Sequence, residues 1–269
     1  MKRTLALVGL TLAVCSLACA QDAAGDRVVV PARNTNHPRK VDASLLHGSI
    51  TVKAYAGKEV IVETRAGSNP RENSRENQTV GGLRRLDLPV RGLSVEEEDN
   101  VVTVRMRSNQ NGDVVISVPA DTSLKVHTLH GEIGVEGVSG EIDVDSLNGA
   151  VTLANVSGNV LAHSLNGAIK ATLDRVDATK PMSFSTLNGS IDVTLPADFK
   201  ANVKLTVDHG EIYSDFDFKL GGNITQRNDT SDGRFHVRID RTLTGTINGG
   251  GAEATFHTYN GTIYIRKKK

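Results

Sequence analysis

Residues 129–167 read LHGEIGVEGVSGEIDVDSLNGAVTLANVSGNVLAHSLNG, with glycine at 131, 140, 149, 158 and 167, nine residues apart each time. Aligned on these glycines, a longer unit emerges. LHGEIGVEGVSGEIDVDS (129–146) is followed by LNGAVTLANVSGNVLAHS (147–164), then by LNGAIKATLDRVDATKPMSFST (165–186) and LNGSIDVTLPADFKANVKLTVD (187–208). HGEIYSDF opens another unit at 209, LLHGSITV (45–52) has the same shape, and YNGTIYI (259–265) returns to it. Fixed self-similarity near 20 residues marks a stacked architecture and outranks local propensity.

Within each unit the apolar residues alternate, as in Ile133 and Val135, Ile142 and Val144, Val151 and Leu153, and Ile191, Val193 and Leu195. Period two means strands with one buried face. Helix is disfavoured by frequent glycine, abundant β-branched residues and the absence of a sustained 3.6 period. The fold class expected is therefore all-β. Asn-Gly between alternating runs also signals two-residue hairpins, so an antiparallel meander competes with a single elongated β-solenoid of coils of about 18–22 residues. The intact recurrence of Leu-Asn-Gly favours the solenoid. Stacking would place Leu147 between Leu129 and Leu165, and would align Asn148, Asn166 and Asn188 as a ladder.

Corners at Asn-Gly and Ser-Gly then explain the glycine spacing, because a sharp corner calls for positive φ, which glycine reaches freely. The corner residues expected are Gly48, His130, Gly131, Gly140, Asn148, Gly149, Gly158, Asn166, Gly167, Asn188, Gly189, Gly210, Asn260 and Gly261. The four extra residues of 165–186 fall near Asp177 to Pro181, and Pro181 and Pro196 belong at bends. A single unit cannot hold itself together, so both ends of a stack need caps. Nine of the ten aromatic residues follow residue 183, a placement that capping would explain.

The first twenty residues, MKRTLALVGLTLAVCSLACA, carry a positive start, a short apolar run and Ala18-Cys19-Ala20 before Gln21. This reads as an export signal, since the run is short for a bilayer span of ~20 residues. Both cysteines, Cys15 and Cys19, lie inside it, so a chain cut after Ala20 has no thiol. Lipidation at Cys19 is the alternative. The remaining chain has 29 basic against 31 acidic residues, which gives no reason to expect nucleic acid. The organisation expected is a signal peptide (1–20), a linker and first strand (21–40), one β-repeat domain (41–266) and a basic tail (267–269). Within that domain the strands are irregular at 41–118 and regular at 119–266. GSNPRENSRENQTVGG (67–82) reads as a long polar loop.

Together these stretches resemble the exported bacterial β-strand-repeat proteins known as putative adhesins, whose central domain has no assigned function. The matching elements are Leu46-His47-Gly48-Ser49-Ile50-Thr51-Val52, Val118-Pro119-Ala120, the Leu-Asn-Gly and Val-Ser-Gly units, Asn248-Gly249-Gly250-Gly251 and Asn260-Gly261-Thr262-Ile263-Tyr264-Ile265. They span roughly residues 41–266, and the departures are His47, His130 and His209 where the family has asparagine. The resemblance implies no catalytic residues.

No HExxH, Gly-x-Ser-x-Gly or Walker sequence occurs. Asp143 and Asp145 lie opposite the apolar face of their strand, and the calcium-binding nonapeptide is absent. No catalytic residue, metal or cofactor is expected. The function expected is a non-catalytic cell-envelope scaffold or adhesin-like binding module, periplasmic or extracellular and monomeric. Its partner would be an envelope protein or a surface polysaccharide, and it would touch membrane only if lipidated at Cys19. An envelope-stress accessory bound to a membrane signalling partner is the alternative reading, and a β-helix polysaccharide-active enzyme a remote one. Tyr213, Phe216 and Phe218 offer either a glycan platform or an apolar cap.

Overall fold

The computed structural model describes residues 27–32, 38–66, 79–80, 83–84, 92–106, 112–221, 226–229, 236–239 and 242–269. The export-signal and lipidation readings, most of the polar loop at 67–82 and Phe235 lie outside the described residues. Among those described, every regular element is a strand, and twenty strands form one continuous sheet.

The sheet folds along the glycine corner into two rows that share a single apolar core. In spatial order, the parallel strands of the first row are Val101–Met106, Lys40–His47, Ser123–His130, Ser139–Asn148, the second half of Val151–Asn166, Met182–Asn188, Glu253–Asn260 and Ala201–His209. The second row runs Gly112–Pro119, Ile50–Tyr55, Ile133–Glu136, the first half of Val151–Asn166, Ile169–Arg175, Ile191–Leu195, Ile263–Lys267 and Ile212–Ser214. Each first-row strand and its second-row partner make one rung.

Two findings overturn the elongated β-solenoid. First, the rungs do not follow the chain. The rung at 40–55 sits between those at 101–119 and 123–136, and the last rung, 253–267, sits between those at 182–195 and 201–214. Second, antiparallel strands finish both ends. Leu93–Glu98 lies on Val101–Met106, Val60–Ala66 lies on Gly112–Pro119 and carries Arg27–Val30, and Thr242–Ile247 lies on Ala201–His209 and carries Lys219–Gly221. The result is an all-β fold of mixed strand direction that wraps its core as a nearly closed barrel. Periodicity misleads here because it reports which face of a strand is buried, and says nothing of which strand lies beside it.

The core is filled by the alternating residues of both rows, among them Ile142, Val144, Val151, Leu153, Ile191 and Val193, all essentially without solvent contact. Phe184 and Phe256 stack inside it on neighbouring rungs, 5.3 Å apart, so these two rings fill the interior and do not cap it. The four extra residues near Asp177 form a turn in which Asp177 accepts from the Thr179 backbone and hydroxyl, and Pro181 and Pro196 stand outside strands.

At the corner between rows, the glycines form a column in the order Gly112, Gly48, Gly131, Gly149, Gly167, Gly189, Gly261, Gly210. From Gly48 to Gly210, a Cβ added to any of them would overlap the carbonyl of the glycine before it. Positive φ accompanies this at Gly48 (121°), Gly131 (154°), Gly210 (149°) and Gly261 (159°) but does not explain the whole column. Gly149, Gly167 and Gly189 have none, and neither do Asn148, Asn166, Asn188 or Asn260. The requirement is close approach of one backbone to the next. At the opposite corner positive φ appears at Gly137 (72°), Asn155 (52°) and Gly158 (104°). Gly140 and Gly158 pair with each other just beyond that turn.

Three residues before Gly131, Gly149, Gly167, Gly189 and Gly261 stands a buried hydroxyl. Thr128, Ser146, Ser164, Thr186 and Thr258 donate to the carbonyls of Gly48, Gly131, Gly149, Gly167 and Gly189, at 2.9–3.2 Å. A buried carbonyl left unpaired costs roughly 1–3 kcal/mol. Ser146→Ala is therefore expected to lose about that much in urea unfolding, while Ser183→Ala on the outward face of Met182–Asn188 stays within about 0.5 kcal/mol. Equal midpoints for the two variants would remove the hydroxyl column from the account of stability.

Candidate binding faces

Outward from the first row, the residue two before each corner glycine forms an apolar stripe: Leu46, Leu129, Leu147, Leu165, Leu187 and Tyr259. Leu46, Leu187 and Tyr259 are about two-fifths exposed and the three central leucines are half-buried. Leu161 adds a further exposed side chain on the same face. Alternation makes these positions outward, and the parallel register lines them up at ~4.8 Å intervals.

Beside the stripe runs a polar ladder one residue before each glycine. Asn166 Nδ2 donates to Asn148 Oδ1 (2.9 Å), Asn188 to Asn166 (2.8 Å) and Asn260 to Asn188 (2.8 Å). Asn148 Nδ2 lies 3.2 Å from His130 Nδ1, and His130 stacks on His47 at 5.1 Å with nearly parallel rings. At the other end His209 pairs in register with Asn260 and packs edge-on against Tyr259. The three histidines that replace asparagine therefore terminate the ladder.

Two residues further back, Asp145 takes His127 Nδ1 on one carboxylate oxygen (3.2 Å) and His163 Nδ1 on the other (3.0 Å). His257 lies 3.8 Å from Asp208. Asp143 is exposed on the same face. Lys180 donates to Glu141 at 2.6 Å, holding that carboxyl below its usual range and its own ammonium above. Among the described residues no group of three or more His, Cys, Asp or Glu could hold a metal ion.

The second row presents a different surface near the rung at 201–214. Tyr213 and Tyr264 stack at 5.4 Å with rings 9° apart. The Arg266 guanidinium lies over the Tyr264 ring at 5.2 Å and is gripped by both carboxylate oxygens of Asp192, which pushes its pKa up. Tyr213 donates to Glu211; that bond and the carboxylate's charge raise the phenol above its ordinary range. The run Asp192–Arg266–Tyr264–Tyr213 thus ends on an aromatic ring that is 52% exposed. Of the other two rings expected here, Phe216 is buried against Phe199 and Phe218 packs on the core. Tyr264, its partner, carried a signal in its own strand: it stands outward between Ile263 and Ile265.

An open hollow of about 450 Å³ lies at the far corner, lined by Asp174, Arg175, Pro196, Phe199 and Lys200 among others. Lys268 occupies Asp174 from one side at 2.6 Å.

A search of curated proteins finds no match. Among solved structures, the chain is similar to a "putative cell adhesion protein" from Clostridium sporogenes, at 9% identity and a TM-score of 0.42, covering 91% of this chain and 100% of that one. It is also similar to a "putative adhesin" from Bacteroides fragilis, at 12% identity and 0.36, covering 92% and 98%. A further "putative adhesin", from Parabacteroides merdae, shares 8% identity at 0.24, covering 92% and 98%. The family model described as Toastrack DUF4097 matches residues 28–265, from the first described strand almost to the last. The chain belongs to the Toastrack DUF4097 family.

Proposed function

We propose that this protein is a non-catalytic, adhesin-like binding module of the cell envelope, exported by its first twenty residues, that takes a surface polysaccharide on the Tyr213–Tyr264 platform. The observation that carries the reading is the aromatic run whose last ring, Tyr213, keeps one face open to solvent. A stacked pair of tyrosine rings, apolar in face and polar at the tip, is the kind of surface that interfaces favour. The apolar face of a pyranose stacks on such a ring through weak C–H contacts, while Glu211 beside Tyr213 and the Asp192–Arg266 pair beside Tyr264 offer hydroxyl partners. The adhesion named for the similar structures from Clostridium and Bacteroides accords with this role.

The test is binding of the chain to polysaccharide purified from its own envelope, compared with Tyr213→Ala and with Leu161→Ser on the other face. Truncating a central aromatic contact is expected to weaken binding roughly tenfold or more, and Leu161→Ser is expected to leave it unchanged. Capture of a single membrane protein, with no polysaccharide bound, would replace this reading with the envelope-stress accessory.

A further inference from the structure

All six histidines whose side chains are described, His47, His127, His130, His163, His209 and His257, lie on the outward face of the first row or at its corner edge; the second row has none. They alternate with the apolar stripe, so imidazoles and leucines share one surface. Imidazole is the side chain whose charge changes between about pH 5 and 8.

The fixed charges on that face nearly cancel. Lys40, Arg105, Lys125, Lys180, Lys204 and Lys219 point outward from its strands and turn. Against them stand Asp42, Glu96, Glu98 and Glu141, together with Asp143, Asp145, Asp208 and Glu253. Four of these acids are already engaged, Asp42 by Arg105, Glu141 by Lys180, Asp145 by His127 and His163, and Asp208 by His257. Glu132, Glu211 and Asp113 lie just round the corner from His130, His209 and His47 and temper the gain there. With neutral imidazoles, and with Asp177 of the turn that carries Lys180 included, acids exceed bases by three on the face itself. Six imidazolium charges reverse that sign.

We infer that this face is an acid-engaged docking surface for an anionic lipid membrane. Charge complementarity requires a negative partner, and it appears only when the imidazoles are protonated. The stripe Leu46–Leu129–Leu147–Leu165–Leu187–Tyr259, with Leu161 beside it, selects lipid over a soluble phosphate polymer, because a polymer offers those side chains nothing apolar to enter. Tyr259, apolar in body and polar at its tip, suits the headgroup boundary. This surface lies on the opposite row from the Tyr213 platform, so it is independent of the glycan reading.

The test is co-sedimentation of the chain with vesicles of phosphatidylglycerol and phosphatidylcholine, and with phosphatidylcholine alone, at about pH 5.5 and 7.5. Every variant carries the same N-terminal segment, so only differences between samples are read. Circular dichroism at both pH values confirms that the strands persist. Bound fraction on anionic vesicles is expected to rise about tenfold or more on acidification, with no rise on neutral vesicles. The triple variant His127→Gln, His163→Gln, His257→Gln is expected to lose most of that rise, and Leu161→Ser with Leu187→Ser to lose acid binding. Tyr213→Ala is expected to behave as the parent. Equal binding at both pH values, equal binding to neutral vesicles, or absence of binding would overturn the inference. Binding that survives the leucine changes and is displaced by soluble polyphosphate would reassign the face to a phosphate polymer.

Discussion

Gly149→Asn is expected to destabilise the protein by about 3–5 kcal/mol, or to prevent folding outright. Were the corner glycine needed for a left-handed backbone, asparagine would be the mildest replacement. Gly149, however, does not adopt positive φ. Its difficulty is that any Cβ overlaps the carbonyl carbon and oxygen of Gly131 and comes within 3.2 Å of Glu132 N. Neither backbone can move away, because Gly131 N–H is bonded to Asn148 O at 3.1 Å and Ile133 N–H to Ala150 O at 3.0 Å. Gly134→Ala makes the control, since its Cβ would meet only the Thr51 side chain at 3.9 Å, and a shift within about 0.5 kcal/mol is expected. Urea unfolding of the two variants decides the matter. Parent-like stability for Gly149→Asn would show that the column tolerates a side chain and that conformation, not contact, placed glycine there.

Ending the chain after Gly251 is expected to abolish cooperative folding, although the cut falls only eighteen residues from the C-terminus. Those residues form an interior rung. Ala254, Phe256, Ile263 and Ile265 are buried, and their strands pair on both sides with Met182–Asn188, Ile191–Leu195, Ala201–His209 and Ile212–Ser214. At roughly 1.5–3 kcal/mol for each large buried side chain, the direct loss alone is several kcal/mol, and it uncovers Phe184 and Leu205 as well. A domain's whole stability is about 5–15 kcal/mol. Thermal unfolding followed by circular dichroism checks this. A truncated chain that melts cooperatively within a few degrees of the parent would mean that the rungs at 182–195 and 201–214 can close on each other without the last one.

The features legible in the sequence were those that each strand carries by itself. Alternation in 133–135, 142–144 and 191–195 identifies inward residues, and the Asn-Gly pairs locate one corner. The exchange of rungs was not legible from spacing, because spacing is blind to the neighbour. Yet a chemical trace of it exists. The last unit reads Thr258-Tyr259-Asn260-Gly261, with the hydroxyl and the amide that an interior rung uses, whereas the unit at 207–210 reads Val-Asp-His-Gly and has neither. The rung at 40–55 is the exception, interior yet with Leu45 where the others have serine or threonine. The run of hydroxyls three before glycine was there to be read at 128, 146, 164, 186 and 258, and it marks five of the six interior rungs. The binding faces were harder to foresee. His127, Asp145 and His163 are eighteen residues apart, and Tyr213 is fifty-one residues from Tyr264; only the register brings each set together.

The seating of the final rung also determines how the molecule answers a pull. Tension applied through Lys269 reaches a pair of strands clamped between two neighbours, so two ladders must slide together before any part is released. An end strand held by one neighbour would open bond by bond, at low force. Resistance of this kind is governed by the rate of unfolding and not by the equilibrium.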